Sequence, residues 1–405
     1  MTADRRVYAA WLSRALTPGG GSFSRLLRSF SSVEEIYHAE ESAIRRALGR
    51  ASADLPALLD RSLADAIKDV QYCIATQTQI VSYFDRAYPA RLRRLSSPPA
   101  VLYIRGTLPS EDARSIAIVG SRRTSKEGRL ETFRIASELA RAGCVTVSGL
   151  AKGADGVCAA GTLAGGGSTV AVLAGGVDTV YPRTHETLAE ACMREGALLS
   201  EFPIGTRPLR YHFPIRNRLI AGMCDCLLLT EGDEKSGSLI TARIAMREGR
   251  TVYALCMRER RYQGRAADLL LSEGAFGVAD AGAFYAALGI DSTAELPFDR
   301  GTVDRALFRF GVDLGNTPEA EIKDTGASVH TVSKEQENVA VNSIQQPLDA
   351  RILACLARMT EADLDQLCEQ ITDVSPSKLQ TALMMLSVSG KVELTPGGRY
   401  RHIPA

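Results

Sequence analysis

From residue 97 to residue 280, short apolar runs alternate with stretches of helical spacing, and no other feature of the sequence restricts the fold as far. Ala100–Ile104, Ser115–Gly120, Val145–Ser148, Thr169–Leu173, Ala197–Leu199, Cys226–Leu229 and Thr251–Leu255 read as strands. Glu127–Arg141, Asp155–Ala164, His185–Glu195, Ile215–Met223 and Leu239–Glu248 read as helices. Strand and helix alternating at this spacing predict an α/β domain with a mostly parallel sheet and helices on both faces.

Two regions flank this pattern. In residues 1–70, Trp11, Leu12, Leu26, Leu27, Ile36, Ile44 and Leu48 recur at helical spacing, which predicts an N-terminal helical module of SAM- or helix-hairpin-helix-like type. Its turn Thr17-Pro18-Gly19-Gly20-Gly21-Ser22 could offer backbone amides to a phosphate or serve only as a packing turn. The α/β domain is expected over 71–310. Residues 311–346 carry six acidic residues against two lysines and few large apolar side chains, the composition of a flexible acidic linker. In 347–405, helical patterns at Leu348–Met359, Glu361–Cys368 and Ser377–Gly390 precede Val392–Leu394 and Arg399–Ile403, which flank Pro396-Gly397-Gly398. Three helices and a two-stranded wing describe a winged helix-turn-helix. The helix best placed for recognition carries only Lys378 and Lys391, so protein contact is favoured over DNA readout.

The chain of 405 residues has a formal net charge of +1, which suggests no nucleic-acid partner until it is divided. Residues 71–310 hold 30 basic and 25 acidic residues, and the acidic excess lies in the linker and beyond it. No apolar run reaches membrane-spanning length, and six apolar residues after Arg6 are too few for a secretory core. Nine cysteines without framework spacing read as reduced core residues of a cytoplasmic protein. Cys224 and Cys226, across a helix end and a strand start, should face different ways rather than pair on a metal.

Three loops carry the chemistry. Gly120-Ser121-Arg122-Arg123 ends one strand before a helix, and Ser148-Gly149-Leu150-Ala151-Lys152-Gly153 ends the next. Lys235-Ser236-Gly237-Ser238 follows a third. Glycine lets the backbone approach a ligand, hydroxyls donate, and a helix N-terminus favours anions. Three such loops at one edge of a parallel sheet point to a phosphate-bearing ligand. The second and third glycines of a dinucleotide fingerprint are missing and no Walker A sequence occurs, so no nucleotide cofactor is expected.

The run from Gly205 to Arg218 holds Arg207, Arg210, Arg216 and Arg218 with no acidic residue, interleaved with Tyr211, His212 and Phe213. Cations for a phosphate backbone beside rings on which bases stack are the requirements of single-strand binding. Catalytic patterns are lacking: none of the five histidines sits in a ligand motif, and capping and ion pairing account for Asp155, Asp178 and Glu201. The chain is therefore read as no enzyme. The alternative is a Rossmann-type nucleoside monophosphate-processing enzyme, for which Ala174-Gly175-Gly176-Val177-Asp178 lacks the catalytic Glu.

Ser148–Asp155, Asp178–Pro182, Ser200–Gly205, Phe213–Gly222 and Ser236–Ala242 together resemble the DNA-processing protein A family (DprA, also called Smf). The resemblance implies an extended Rossmann fold that binds single-stranded DNA, protects incoming strands in natural transformation, loads the RecA recombinase and helps displace single-strand-binding protein. It also implies a homodimer. It places DNA contacts on Gly120, Ser121 and Arg122, on Arg210, Phe213, Arg216, Asn217 and Arg218, and on Lys152 with Ser236–Ser238. The sequence departs from the family pattern at Ala159, at His185, and over Leu255-Cys256-Met257, and again at Ala266 and Asp268.

Overall fold

The computed structural model describes residues 4–49, 52–256, 265–291, 299–314 and 347–403, apart from 375, 389–390 and 396–398. Helices α1–α6 (Arg5–Ala15, Ser22–Leu26, Val33–His38, Glu41–Leu48, Leu55–Leu59, Ala64–Ala75) come first. Then follow β1 (Gln79–Ser82), α7 (Ala90–Arg93), β2 (Val101–Gly106), β3 (Ser115–Val119), α8 (Lys126–Arg141), β4 (Val145–Ser148), α9 (Ala154–Ala164) and β5 (Thr169–Val172). The domain continues with α10 (Glu186–Glu195), β6 (Ala197–Ser200), α11 (His212–Met223), β7 (Cys226–Leu229), α12 (Gly237–Arg247), β8 (Thr251–Leu255), α13 (Ala266–Ser272), β9 (Phe276–Val278), α14 (Ala281–Leu288) and α15 (Arg300–Arg309).

Among the described residues these strands form one sheet in the order β1-β2-β6-β5-β4-β3-β7-β8-β9. Six of its pairings are parallel, from β6 through to β9, and β2 joins β6 antiparallel. A strand covered on both faces must be apolar throughout, and β3 is buried at all five positions. Its side chains alternate. Ala117 and Val119 pack with Leu219, Ile220 and Leu239 of α11 and α12, and Ile116 and Ile118 pack with Ile135 and Leu139 of α8. The expected strands are all present. β1 and β9, short edge strands with little apolar signal, escape the sequence reading.

Cys224 packs in the first of these clusters and Cys226 in the second, as expected. The N-terminal helices share their apolar cluster with Val101 and Tyr103 of β2, so they are built onto the edge of the sheet. Their glycine turn faces inward: the Gly19 carbonyl accepts from Ser97 Oγ at 3.3 Å.

The C-terminal residues form α16 (Leu348–Met359), β10 (Glu361–Ala362), α17 (Leu364–Gln370), α18 (Pro376–Val388), β11 (Val392–Leu394) and β12 (Tyr400–His402), with sheet order β10-β12-β11. Glu361 and Ala362, expected to open a helix, form a strand instead, and Asp363 caps α17 in a capping box. Arg25 donates to Asp363 and Asp365, and Asp365 accepts from the Ala53 N–H at 2.9 Å. Of the expected linker, residues 311–314 are packed against the α/β domain. Its remainder, Met257 and the turn at 396–398 lie outside the described residues. Among the described residues no helix is long and apolar enough to cross a membrane.

Candidate nucleic-acid interface

The sheet reverses its winding between β3 and β7: β4, β5 and β6 lie on one side of β3, and β7, β8 and β9 on the other. Loops that leave neighbouring strands in opposite directions open a crevice at the carboxyl edge, where ligands of open α/β sheets sit. The loops after β3, β4 and β7 converge there.

The first two loops interlock. The Ser121 carbonyl accepts from the Ala154 N–H at 3.0 Å, and Ser121 Oγ accepts from the Arg123 N–H at 3.0 Å. Gly153 has φ +71°, and a side chain there would collide with the carbonyl oxygens of Ser121 and Arg122; glycine is needed on both counts. Arg122 and Arg123 remain exposed on the outer side of this junction. In the third loop, Ser236 Oγ caps α12 by accepting from the Leu239 N–H at 3.2 Å and also accepts from Ser238 Oγ at 2.9 Å. Lys235 beside it is exposed.

α11 runs under the junction. It starts at His212, three residues before the expected boundary, because Pro214 falls in the first turn, where its missing N–H costs nothing. Arg216, Asn217 and Arg218 lie on this helix, as expected, and all three are buried. Arg216 Nη1 donates to the Gly149 carbonyl at 2.7 Å and to that of Val172. A Cβ at Gly149 would overlap this guanidinium. Asn217 accepts from Arg216 Nε at 3.2 Å and reaches the Gly237 carbonyl at 3.4 Å, tying the second and third loops. Asp155 accepts from the Gly149 N–H at 3.0 Å. Burial pushes its carboxyl up, opposed first by Arg216, and burial draws Arg216 down to about 10, opposed by Asp155.

Phe213, half-buried, stands at the mouth of the crevice. The Arg122 guanidinium carbon lies 5.0 Å from its ring centre and that of Arg216 5.8 Å. Tyr181 meets it edge-on at 5.8 Å. Arg207 and Arg210, the other half of the basic run, are exposed. Arg218 goes elsewhere: it pairs with Glu201 in the interior, side chains 5% and 4% exposed. Burial pushes the Glu201 carboxyl up against the pull of that guanidinium.

Residues 79–289 match the family described as DNA recombination-mediator protein A. The chain belongs to this family. It is 42% identical over 172 residues to the DNA processing protein DprA of Bacillus subtilis, a stretch covering 42% of this chain and 58% of that relative. Protein Smf of Synechocystis is 29% identical over 408 residues, 97% of this chain and 98% of the relative. The X-ray structure of DNA processing protein A from Streptococcus pneumoniae gives a TM-score of 0.61 at 28% identity, covering 74% of this chain and 100% of that one.

Most of the residues singled out in the sequence, from the loops and from the family resemblance, lie at this edge. Gly120, Ser121, Arg122, Gly149, Gly153, Asn217, Ser236, Gly237 and Ser238 line or brace the three loops, and Arg210 is exposed three positions before Phe213. Ser148 is buried and donates to the Asp155 carbonyl at 3.3 Å. Arg216 braces the floor, Lys152 is buried against Asp313, and Arg218 is interior. Ala159, one of the departures from the family pattern, is a core residue. Tyr181, Glu231 and Asp313 were not legible in the sequence. Glu231 accepts from the Ser125 N–H at 3.0 Å and fastens the loop after β7 to the start of α8, and such partners lie too far apart along the chain for any spacing rule. Among the described residues no group of three or more His, Cys, Asp or Glu could hold a metal ion.

Proposed function

We propose that this chain binds single-stranded DNA along the carboxyl edge of its sheet, as a recombination mediator without catalytic chemistry of its own. The observation that carries this reading is the half-buried Phe213 ring flanked by Arg122 and Arg216 at 5.0 and 5.8 Å. An aromatic ring layered with guanidinium groups offers a base planar surfaces on which to stack and its phosphates a counter-charge. Arg122, Arg123, Arg207 and Arg210 would carry the backbone, and the hydroxyls and amides of residues 121, 236 and 238 would orient it.

In this reading the cytoplasmic protein shields incoming strands and loads RecA, with displacement of single-strand-binding protein and a homodimeric state as accompanying properties. Residues 1–70 act as a helical module. Residues 347–405 act as a winged helix that contacts protein; the acidic pair Asp363 and Asp365 at the start of α17, engaged by Arg25, supports that choice over DNA.

The test is binding of single-stranded against duplex oligonucleotide at two salt concentrations, with RecA filament formation as the second readout. Salt-sensitive preference for the single strand and faster filament growth are expected. Stabilisation by a mononucleotide but by no oligonucleotide would favour nucleotide processing and end the proposal.

A further inference from the structure

Lys152, the cation of the second loop, already has an anion. Its Nζ lies 3.2 Å from the Asp313 carboxylate, with the two side chains 8% and 5% exposed. Thr184 Oγ1 donates to the same carboxylate oxygen at 3.4 Å. The backbone of Asp313 is held as well: its carbonyl accepts from the Gly153 N–H at 2.8 Å, and its N–H donates to His185 Nε2 at 2.7 Å. His185 is oriented for this by donating from Nδ1 to the Leu150 carbonyl at 2.9 Å. An ammonium and a hydroxyl from two sheet-edge loops thus meet on one carboxylate oxygen, a pair of donors that would suit a phosphate oxygen, while the Gly153 amide holds the backbone beside it.

The residue enclosed arrives from outside the sheet. α15 is anchored through Val303 and Leu307, and Phe310, Val312 and Leu314 pack on the same cluster. Residues 310–314 form a strap that belongs to no strand or helix, and residues 315–346, next in sequence, hold five acidic residues against two lysines. An acidic residue held on the same chain beside a cationic crevice competes there at a high effective concentration.

We propose that Asp313 is a resident phosphate surrogate: the strap over residues 310–314 fills the Lys152 subsite and is displaced by a phosphate of the bound strand. The proposal rests on the single-strand reading of this edge. Strand binding is then a competition, and the strap sets a threshold that favours continuous strands, whose neighbouring phosphates act together, over isolated nucleotides.

The experiment uses the full chain and a fluorescein-labelled oligothymidylate, titrated by anisotropy across a salt series. Asp313→Asn is expected to bind about tenfold tighter and to steepen the log–log salt dependence by about 0.7, the increment for one more single-strand phosphate. In a Lys152→Gln background the same substitution should gain nothing. Folded Asp313→Asn with wild-type affinity and slope overturns the proposal and leaves the single-strand reading standing. If neither protein binds the oligonucleotide, the single-strand reading itself fails and the proposal with it. Hydrogen exchange on the wild-type chain decides the case even if the variant is unstable. The amides of Gly153 and Asp313 should exchange faster at saturating oligonucleotide, and unchanged protection would overturn the strap's displacement.

Discussion

Arg216 and Arg218 stand two positions apart on α11, about 200° around its axis, and reach different neighbours. Arg216 lies under the β4–α9 loop, bonded to the carbonyls of Gly149 and Val172 beside Asp155. Arg218 lies against Glu201, where the inward-facing Gly19 turn of the N-terminal helices also packs. One helix turn therefore connects the floor of the crevice to the N-terminal helices.

Removing the Arg216 guanidinium should unfold before it unbinds. Arg216→Ala removes the buried donor to the carbonyls of Gly149 and Val172 and the guanidinium that opposes the burial of Asp155, at a cost on the order of 1–3 kcal/mol for each buried group left unsatisfied. Thermal unfolding should report a large fall in Tm. A variant as stable as the wild type would mean that Asp155 is satisfied by its backbone donors alone.

Arg122→Ala and Arg210→Ala should behave in the opposite way. Both side chains are exposed, so stability should move by no more than about 0.5 kcal/mol. Each should weaken oligonucleotide binding and flatten the salt slope by about 0.7. An unchanged slope in both would place the strand elsewhere.

Phe213→Ala should weaken single-strand binding by about 1–3 kcal/mol, the range for one stacked base, while Phe213→Trp should retain it. Salt titration separates this from a charge effect: the slope of Phe213→Ala should match the wild type. Equal loss in the alanine and tryptophan variants would argue against stacking.

His185 supplies a pH dependence. Burial pulls it below its ordinary value of 6.5, with Lys152 adding to that pull and Asp313 and the Leu150 carbonyl opposing it. The unfolded chain therefore binds more protons than the folded one just below pH 6.5, so stability falls as pH drops through that window and is fully present above it. Buried His212, also pulled down by burial, adds the same sign. Thermal unfolding between about pH 5 and 7.5 should show Tm rising with pH, less steeply in His185→Asn. Identical profiles for the two proteins would remove His185 as a source.

Asp365→Asn weakens the tie from α17 to Arg25 and to the Ala53 N–H. Limited proteolysis should then release residues 347–405 faster while oligonucleotide affinity stays near wild type. A matching loss of affinity would show that this segment takes part in binding DNA.

What the sequence determined by itself was the α/β core and the position of its crevice. Strands buried on both faces leave unbroken apolar runs, helices leave their own period, and glycine-hydroxyl-cation loops mark the strand ends; all of these are local signals. The nearly neutral charge, once divided along the chain, leaves a basic excess in the α/β domain. Tertiary structure decided which charges can meet a ligand. Four arginines that look equivalent in one run separate into exposed Arg207 and Arg210 and interior Arg216 and Arg218. It also decided that Lys152 is covered by Asp313, a residue counted by composition into the linker. Burial and pairing depend on which distant segments share a cluster, and partners 161 positions apart leave no periodic trace. The desolvation that separates a brace from a binding group arises only when the chain has closed around it.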